Sequence, residues 1–390
     1  MIRKAYKYRI YPNAEQKEFF AKCFGCVRFF YNKSLSDMND IYESTGKFKN
    51  ITPASYKEDY PFLKEVDSLA LSNAQLNRNI AFKDFMKQRY KNNKDKPNFK
   101  SKRNDQSYTT NNQGSVKISS NHRYISIPKC SRIRIKMHRL FEGSIKSITV
   151  SRTTDNKYYM SLLVEEETKP MEPTSKMIGL DLGIKDLIAD SNGHKYKNHK
   201  YLTKSQEKLA KEQRKLSHMV KGSNNRNKQR IKIARLHKKI QNQRNDYLHK
   251  LSRKIIDENQ VIALEDLKVI DMEQNNKLAR NISDASWSRL VTMLLYKADW
   301  YGRKVIKVPN NYPSSQLCSV CGYQNSITKS LNIRKWTCPK CGSIHDRDVN
   351  AAKNILSKGI EILTKDGTHP DSLFMLESMD SSSKKPSLLD

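Results

Sequence analysis

Four cysteines constrain this 390-residue chain more tightly than any other feature. Cys318 and Cys321 stand in CSVC, Cys338 and Cys341 in CPKC, with sixteen residues between the pairs and a glycine after each. Two such knuckles can bring four thiolates to one tetrahedral Zn²⁺, the glycine allowing the turn that aims backbone amides at sulfur. Four cysteines leave no open coordination position, so the expected zinc is a structural staple for a ribbon. The chain has seven cysteines, an odd number, which argues against a secreted disulfide framework. Cys23 and Cys26 also form a CxxC, but inside an apolar helical pattern, and like Cys130 they are expected in a core.

Charge narrows the class of partner. Lys and Arg number 73 against 40 Asp and Glu, a net charge of +33 with pI about 9.8. Self-repulsion on this scale is unfavourable unless a polyanion offsets it, which sets aside an ordinary metabolic enzyme and points to nucleic acid. With 37% hydrophobic residues the chain can still bury a core. No apolar run approaches the roughly 20 residues that span a bilayer and no apolar leader opens the chain, so an intracellular protein without a membrane segment is expected.

Residues 2–10 alternate, with Tyr6, Tyr8 and Ile10 on one face and Lys7 and Arg9 on the other, as in a strand with a basic outer face. Asn13 opens a helix to about residue 35, with Gln16 in capping-box spacing. A second helix is expected over 68–92, carrying Leu69, Leu76, Ile80 and Phe85. From 106 to 168 short alternating segments broken by Gly, Asn and Asp read as hairpins of a small barrel or sheet, which the isolated strand 2–10 is expected to join. MIGLDLGIKDLIAD (177–190) reads as strand, turn and strand. Residues 201–255 carry 17 Lys and Arg against 3 Asp and Glu and form a helical hairpin broken at KGSNNRNK, a candidate phosphate-facing arm with Lys228, Arg230, Lys232 and Arg235. QVIALEDL and KVIKVP read as strands, 284–301 and DVNAAKNILSKGI as helices.

Three acids stand out in the C-terminal half. Asp181 lies among Ile178, Leu180, Leu182 and Ile184, where burying a carboxylate costs several kcal/mol unless a cation or hydrogen bonds compensate. Glu265 closes the apolar strand VIALE, and Asp348 stands at the start of an alanine-rich helix. Together, in strongly basic surroundings, they suit a site that holds two Mg²⁺ ions against a scissile phosphate. Asp346 is the rival third carboxylate; an acid at a helix start, as Asp348 is, can aim its side chain at a metal cluster while Asp346 bonds locally. His345 and Arg347 flank the pair, and Arg347 is a candidate phosphate contact.

GLDLGIKDL, VIALEDL, the CxxC pairs and DRDVNAAKNI, with YRIYPNAEQ, CVRFFYN and the basic hairpin, closely resemble the TnpB proteins of insertion sequences, relatives of the type V CRISPR effectors. The resemblance runs to about residue 360. It implies an RNase H-like (RuvC-type) α/β nuclease domain over 173–312 and 343–365, with the basic hairpin and a zinc ribbon at 313–342 inserted. Ahead of it come a wedge-like β-barrel (1–12 and 105–172) and a helical recognition insertion (13–104); a tail at 366–390 is expected to be disordered. It further implies that Asp181, Glu265 and Asp348 are the catalytic triad of an RNA-guided DNA endonuclease, with guide RNA, double-stranded target DNA, Mg²⁺ and structural Zn²⁺, in a prokaryotic cytoplasm and associated with the nucleoid. The alternatives are a type V-like effector with an array-derived guide and a non-cleaving RNA-guided repressor. Oligomeric state, flanking motif and cut positions stay open.

Overall fold

The basic alternating segment forms β1 (Ile2–Tyr11) in the computed structural model, which describes residues 1–92, 96–268, 272, 279–330 and 332–367. The expected disordered tail lies, from residue 368 on, outside the described residues. The chain divides into two compact units, Met1–Glu167 with Arg230–Ala234, and Thr168–Gln229 with Arg235 onward.

In the first unit β1 is joined by β2 (Gln106–Asn111), β3 (Lys117–Ile118), β4 (Tyr124–Ile127), β5 (Cys130–Lys136), β6 (Ser144–Arg152) and β7 (Tyr158–Glu166). All pair antiparallel, in the order β2-β6-β7-β1-β5-β4-β3. Strand β1 thus finds its partners late in the chain, from Ile2 opposite Glu166 to Ile10 opposite Tyr158. The expected barrel is a sheet: among the described residues no ladder joins β2 to β3, and the two-residue β3 is too short to close one.

Helix α1 (Ala14–Thr45) starts at the expected capping box, Gln16 N–H donating to Asn13 Oδ1 at 2.8 Å and Asn13 N–H to Gln16 Oε1 at 3.0 Å. Its Phe20, Phe24, Val27 and Phe30 share one core with Tyr8, Ile10, Ile133, Val150 and Leu162 of the sheet. Each fully buried side chain of this size contributes about 1.5–3 kcal/mol before entropy is counted. Tyr6, expected to be buried beside Tyr8, is only partly so and donates its hydroxyl to Glu166.

Helix α2 (Ser68–Asn92) forms where expected, but Leu76 and Ile80 are exposed, and the buried stripe is Ala70, Leu71, Ala74, Arg78, Phe82 and Phe85. Small alanines face the packed side because they let the helix approach closely, and a search for large apolar residues passes over them. Cys23, Cys26 and Cys130 are buried as expected, and burial pushes the Cys23 thiol up to about 12.

The second unit is built on β8 (Met177–Leu182), β9 (Asp186–Asp190), β10 (Lys195–Lys197), β11 (Val261–Glu265) and β12 (Lys304–Val308). Their order is β10-β9-β8-β11-β12; β8, β11 and β12 are parallel, and the β8-β9-β10 end is antiparallel. The long α3 (Tyr201–Ser217) and α4 (Asn224–Glu258) make the expected basic hairpin. Helix α3 has no capping side chain of its own; Asp284, in α5 (Ala279–Ala285), supplies one by accepting from the Leu202 and Thr203 amides and from Arg244. Helix α6 (Trp287–Tyr301) follows, and its Leu290 and Leu294 share a core with Leu248, Leu251 and Ile255 of α4 and with β8.

A two-stranded ribbon, β13 (Lys335–Thr337) and β14 (Ile344–Asp346), leads into α7 (Arg347–Lys365), which lies against β8, β11 and β12. Two glycines set that approach. A Cβ on Gly179 would come 2.1 Å from the Ala352 carbonyl oxygen, and one on Gly359 would come 2.5 Å from Ala263 Cβ. No larger residue fits either position, so the helix is locked in register over the strands.

Candidate active site and metal centre

The parallel ladder that pairs Leu264 with Leu180 brings the next residue of each strand, Glu265 and Asp181, to the same end of neighbouring strands. Asp181 is half-buried, and its carboxyl is pushed up to about 8. Desolvation is the first cause, the negative charges of Glu265 and Asp348 come next, and Arg347 and Lys195 oppose them. Three carboxylates from β8, β11 and α7 therefore lie within electrostatic reach of one another. Glu265 is likewise pushed up by burial and held back by the Ser314 hydroxyl, which donates to its Oε1.

Asp348 sits in the first turn of α7, facing Arg334 at 3.4 Å and Lys195 at 3.8 Å. The cap of that helix is Asp346, whose Oδ1 accepts from the Asp348 and Val349 amides at 3.2 Å while Oδ2 takes Lys195 at 2.8 Å. These bonds hold the Asp346 carboxyl below the usual range, against the opposing pull of burial. Arg347 is buried and bonds the Ser330 carbonyl.

The four cysteines converge as their spacing predicts: one ligand atom from each lies within 4.8 Å of the others. The two knuckles repeat the same turn. Cys318 N–H donates to Tyr323 O and Gly322 N–H to Cys318 O; Cys338 N–H donates to Ser343 O and Gly342 N–H to Cys338 O, all at 2.9 Å. Both glycines have φ of 72°, the left-handed conformation that glycine adopts most readily. Hydrogen bonding with Ser343 pulls the Cys341 thiol down, while desolvation and bonds to the other three thiols push the Cys321 thiol up. This donor set suits a structural zinc. His345 Nε2 lies 3.1 Å from the Cys318 sulfur.

Lys228, Arg230, Lys232 and Arg235 are all exposed on α4. At about 100° per residue Lys228, Lys232 and Arg235 fall within roughly 60° of one another while Arg230 points the opposite way. The buried Gln229, Ile233 and Ile240 run between those two sides.

Residues 161–276 match the OrfB family of IS605, described as "Probable transposase", and residues 287–355 match the "Cas12f1-like, TNB domain". A Streptomyces pristinaespiralis protein provisionally named an RNA-guided DNA endonuclease is 37% identical over 92% of this chain and 90% of its own. The chain belongs to the TnpB family. InsQ of Escherichia coli K12, with the same provisional name, is 32% identical over 92% of this chain and 93% of its own. A Cas12f1 chain from a complex with sgRNA and target DNA shares the fold, with TM-score 0.57 and 17% identity over 88% of this chain and 83% of that one. Residues 1–47 also match a family described as "Helix-turn-helix domain", yet in this TnpB protein they form one strand and a single unbroken helix through Thr45.

Several residues at the TnpB site escape a sequence reading. Ser314, Lys195 and Arg334 are isolated polar residues with no pattern to mark them. Asn350 and Asn354 did leave a signal: two amides one helical turn apart on the face that also carries Ala351 and Ile355, all buried.

Proposed function

We propose that this TnpB-family protein is an RNA-guided DNA endonuclease of a transposable element, which cuts double-stranded target DNA beside a short flanking motif. What supports the reading is the alignment over 92% of this chain with relatives named for this activity, together with the placement of Glu265 and Asp348 within electrostatic reach of Asp181. Those three acids would hold two Mg²⁺ ions. A carboxyl pushed up to about 8, first by burial and then by two acidic neighbours, would be relieved by a bound cation, and hard oxygen donors suit Mg²⁺. Bound there, the ions would neutralise the scissile phosphate and lower the pKa of an attacking water.

The chain's own cations complete the picture. Arg347 and Lys195, which already favour the ionised form of Asp181, supply fixed positive charge beside the acids. Cys318, Cys321, Cys338 and Cys341 hold a structural Zn²⁺ that folds the ribbon ahead of α7. Lys228, Arg230, Lys232 and Arg235 contact nucleic-acid phosphates from both sides of α4. Guide RNA, held by the excess positive charge, chooses the target by base pairing while the protein reads helix shape and the flanking motif.

Rewriting the guide tests this. RNA-free protein is reconstituted with its co-purifying RNA, then with a copy whose guide segment is changed, and cuts are mapped on a plasmid library. The cut site should follow the guide, and RNA-free protein should not cut that site. A site that stays put, or equal cutting without RNA, overturns the proposal; an array transcript as the co-purifying RNA would favour the CRISPR-type alternative.

A further inference from the structure

Glu265 ends its strand, and a carboxylate at a strand terminus is free to swing unless something outside the strand holds it. The Ser314 hydroxyl donates to Glu265 Oε1, the one side-chain hydrogen bond to that carboxylate among the described residues. Ser314 is itself buried and lies in the segment that leads into the first cysteine knuckle. Its backbone is fixed in turn: Asn354 Nδ2 donates to the Ser314 carbonyl at 2.7 Å and to the Leu317 carbonyl at 2.7 Å. Asn350 grips the knuckle from both sides, donating to Leu317 O at 2.6 Å and accepting from the Ser319 amide at 2.9 Å. Leu317 and Ser319 bracket the zinc ligand Cys318. Both asparagines project from α7, the helix that carries Asp348, and both are buried.

We infer that Ser314 is the positioning residue of Glu265, and that Asn354 ties it to the helix of Asp348 and to the Cys318 knuckle. The knuckle thereby fixes the separation of two acids that arise 83 residues apart. Buried donors with satisfied partners are suited to this task, because a displaced Asn354 would leave the Ser314 carbonyl and its own amide without hydrogen bonds. In this role Ser314 acts through the Glu265 carboxylate that it bonds. Outer-shell partners of this kind typically change metal affinity about 10–100-fold when removed.

The inference rests on the proposal that the three acids hold divalent ions, and the test separates the two. Full-length protein with its guide RNA is titrated with Mn²⁺, free Mn²⁺ is followed by electron paramagnetic resonance, and zinc is counted by elemental analysis. Ser314→Ala should weaken Mn²⁺ binding about tenfold or more with zinc content unchanged. Ser314→Thr, which keeps the hydroxyl, should restore it. Asn354→Ala should weaken Mn²⁺ binding in the same direction by a smaller factor. Wild-type Mn²⁺ affinity in Ser314→Ala or in Asn354→Ala overturns the inference, as does zinc loss in Ser314→Ala, which would make the serine a support of the ribbon. Glu265→Gln is the control for the underlying reading: if it binds Mn²⁺ as wild type does, the acids do not hold the metal and the parent proposal fails.

Discussion

The thiol cluster and the carboxylate cluster are both gatherings of like groups that want a cation, yet they are assembled in opposite ways. The four cysteines lie within 24 residues, and two local turns aim them at one point. The three acids span 168 residues and come within electrostatic reach of one another only because a parallel ladder and a tightly packed helix bring their elements together. A cluster made by local turns should depend on its metal to fold. One made by a preformed sheet should fold without its metal and be strained by its absence. The largest expected effects follow from that contrast.

Asp181→Asn should reduce Mg²⁺-dependent cleavage to background while making the metal-free protein more stable. The sign follows from linkage. An unfolded aspartate loses its proton near ~3.9, whereas the folded Asp181 keeps it to about 8. Between those values the folded state binds more protons, so its stability falls as pH rises. Asparagine removes the term. Without divalent ions the variant's Tm should exceed the wild type's at pH 8, and the gap should close toward pH 4. A variant that cuts at the wild-type rate, or that melts lower at pH 8, breaks the contrast.

Cys338→Ser should act in the reverse direction. One thiolate of four is lost, so bound zinc should fall and stability with it, by an amount at or beyond the upper end of the about 0.5–3 kcal/mol that ordinary substitutions cost. Elemental analysis decides first: wild-type protein that carries no zinc ends the comparison. A zinc-free variant with an unchanged Tm would mean that the ribbon holds without its metal.

The same contrast explains what the sequence disclosed. Spacing alone identifies the thiol cluster, because its geometry is written in consecutive residues. Each acid seen singly had a credible structural reading; their shared basic surroundings suggested one metal site and the family resemblance made them a triad, whereas the register of Leu264 with Leu180 and the close approach at Gly179 are tertiary facts. The strand β1, the capping box at Asn13 and the basic hairpin were legible from period and caps. The closed barrel was not, because alternation reports a strand's faces and says nothing of whether the outer strands meet. The packed face of α2 was hidden because the packing needs small residues, and the bulkier Leu76 and Ile80 lie exposed. Ser314 had no pattern to betray it: a lone serine becomes informative only when a distant carboxylate arrives beside it.

A smaller effect is expected away from both clusters. Neutralising Lys228, Arg230, Lys232 and Arg235 together should weaken nucleic-acid binding and flatten its salt dependence, each lost phosphate contact removing about 0.9 from the log–log slope on duplex DNA and about 0.7 on single strands. Because Arg230 faces away from the other three, the change should fall short of four contacts on any one groove. A slope equal to the wild type's would make this arm a solvated face, and would leave the two clusters as the better-supported parts of the proposal.

The smallest effect distinguishes two neighbouring carboxylates. Asp346 caps α7 by accepting from the Asp348 and Val349 amides, a task that asparagine performs nearly as well, whereas alanine at such a position costs about 0.5–2 kcal/mol. Asp346→Asn also gives up the charge that pairs with Lys195, an ion pair one-third exposed at each end and therefore worth little, about 0–1 kcal/mol. Thermal stability should thus stay close to wild type and cleavage should persist. Asp348→Asn keeps that cap intact and should melt like the wild type, but its cleavage should fall as far as that of Asp181→Asn. Run side by side in one cleavage and melting assay, the pair gives a direct reading of which acid belongs to the sheet-built cluster. If Asp346→Asn is the variant that loses cleavage and Asp348→Asn the one that keeps it, the third carboxylate is the helix cap, held by its local bonds in much the way the turns hold the thiols.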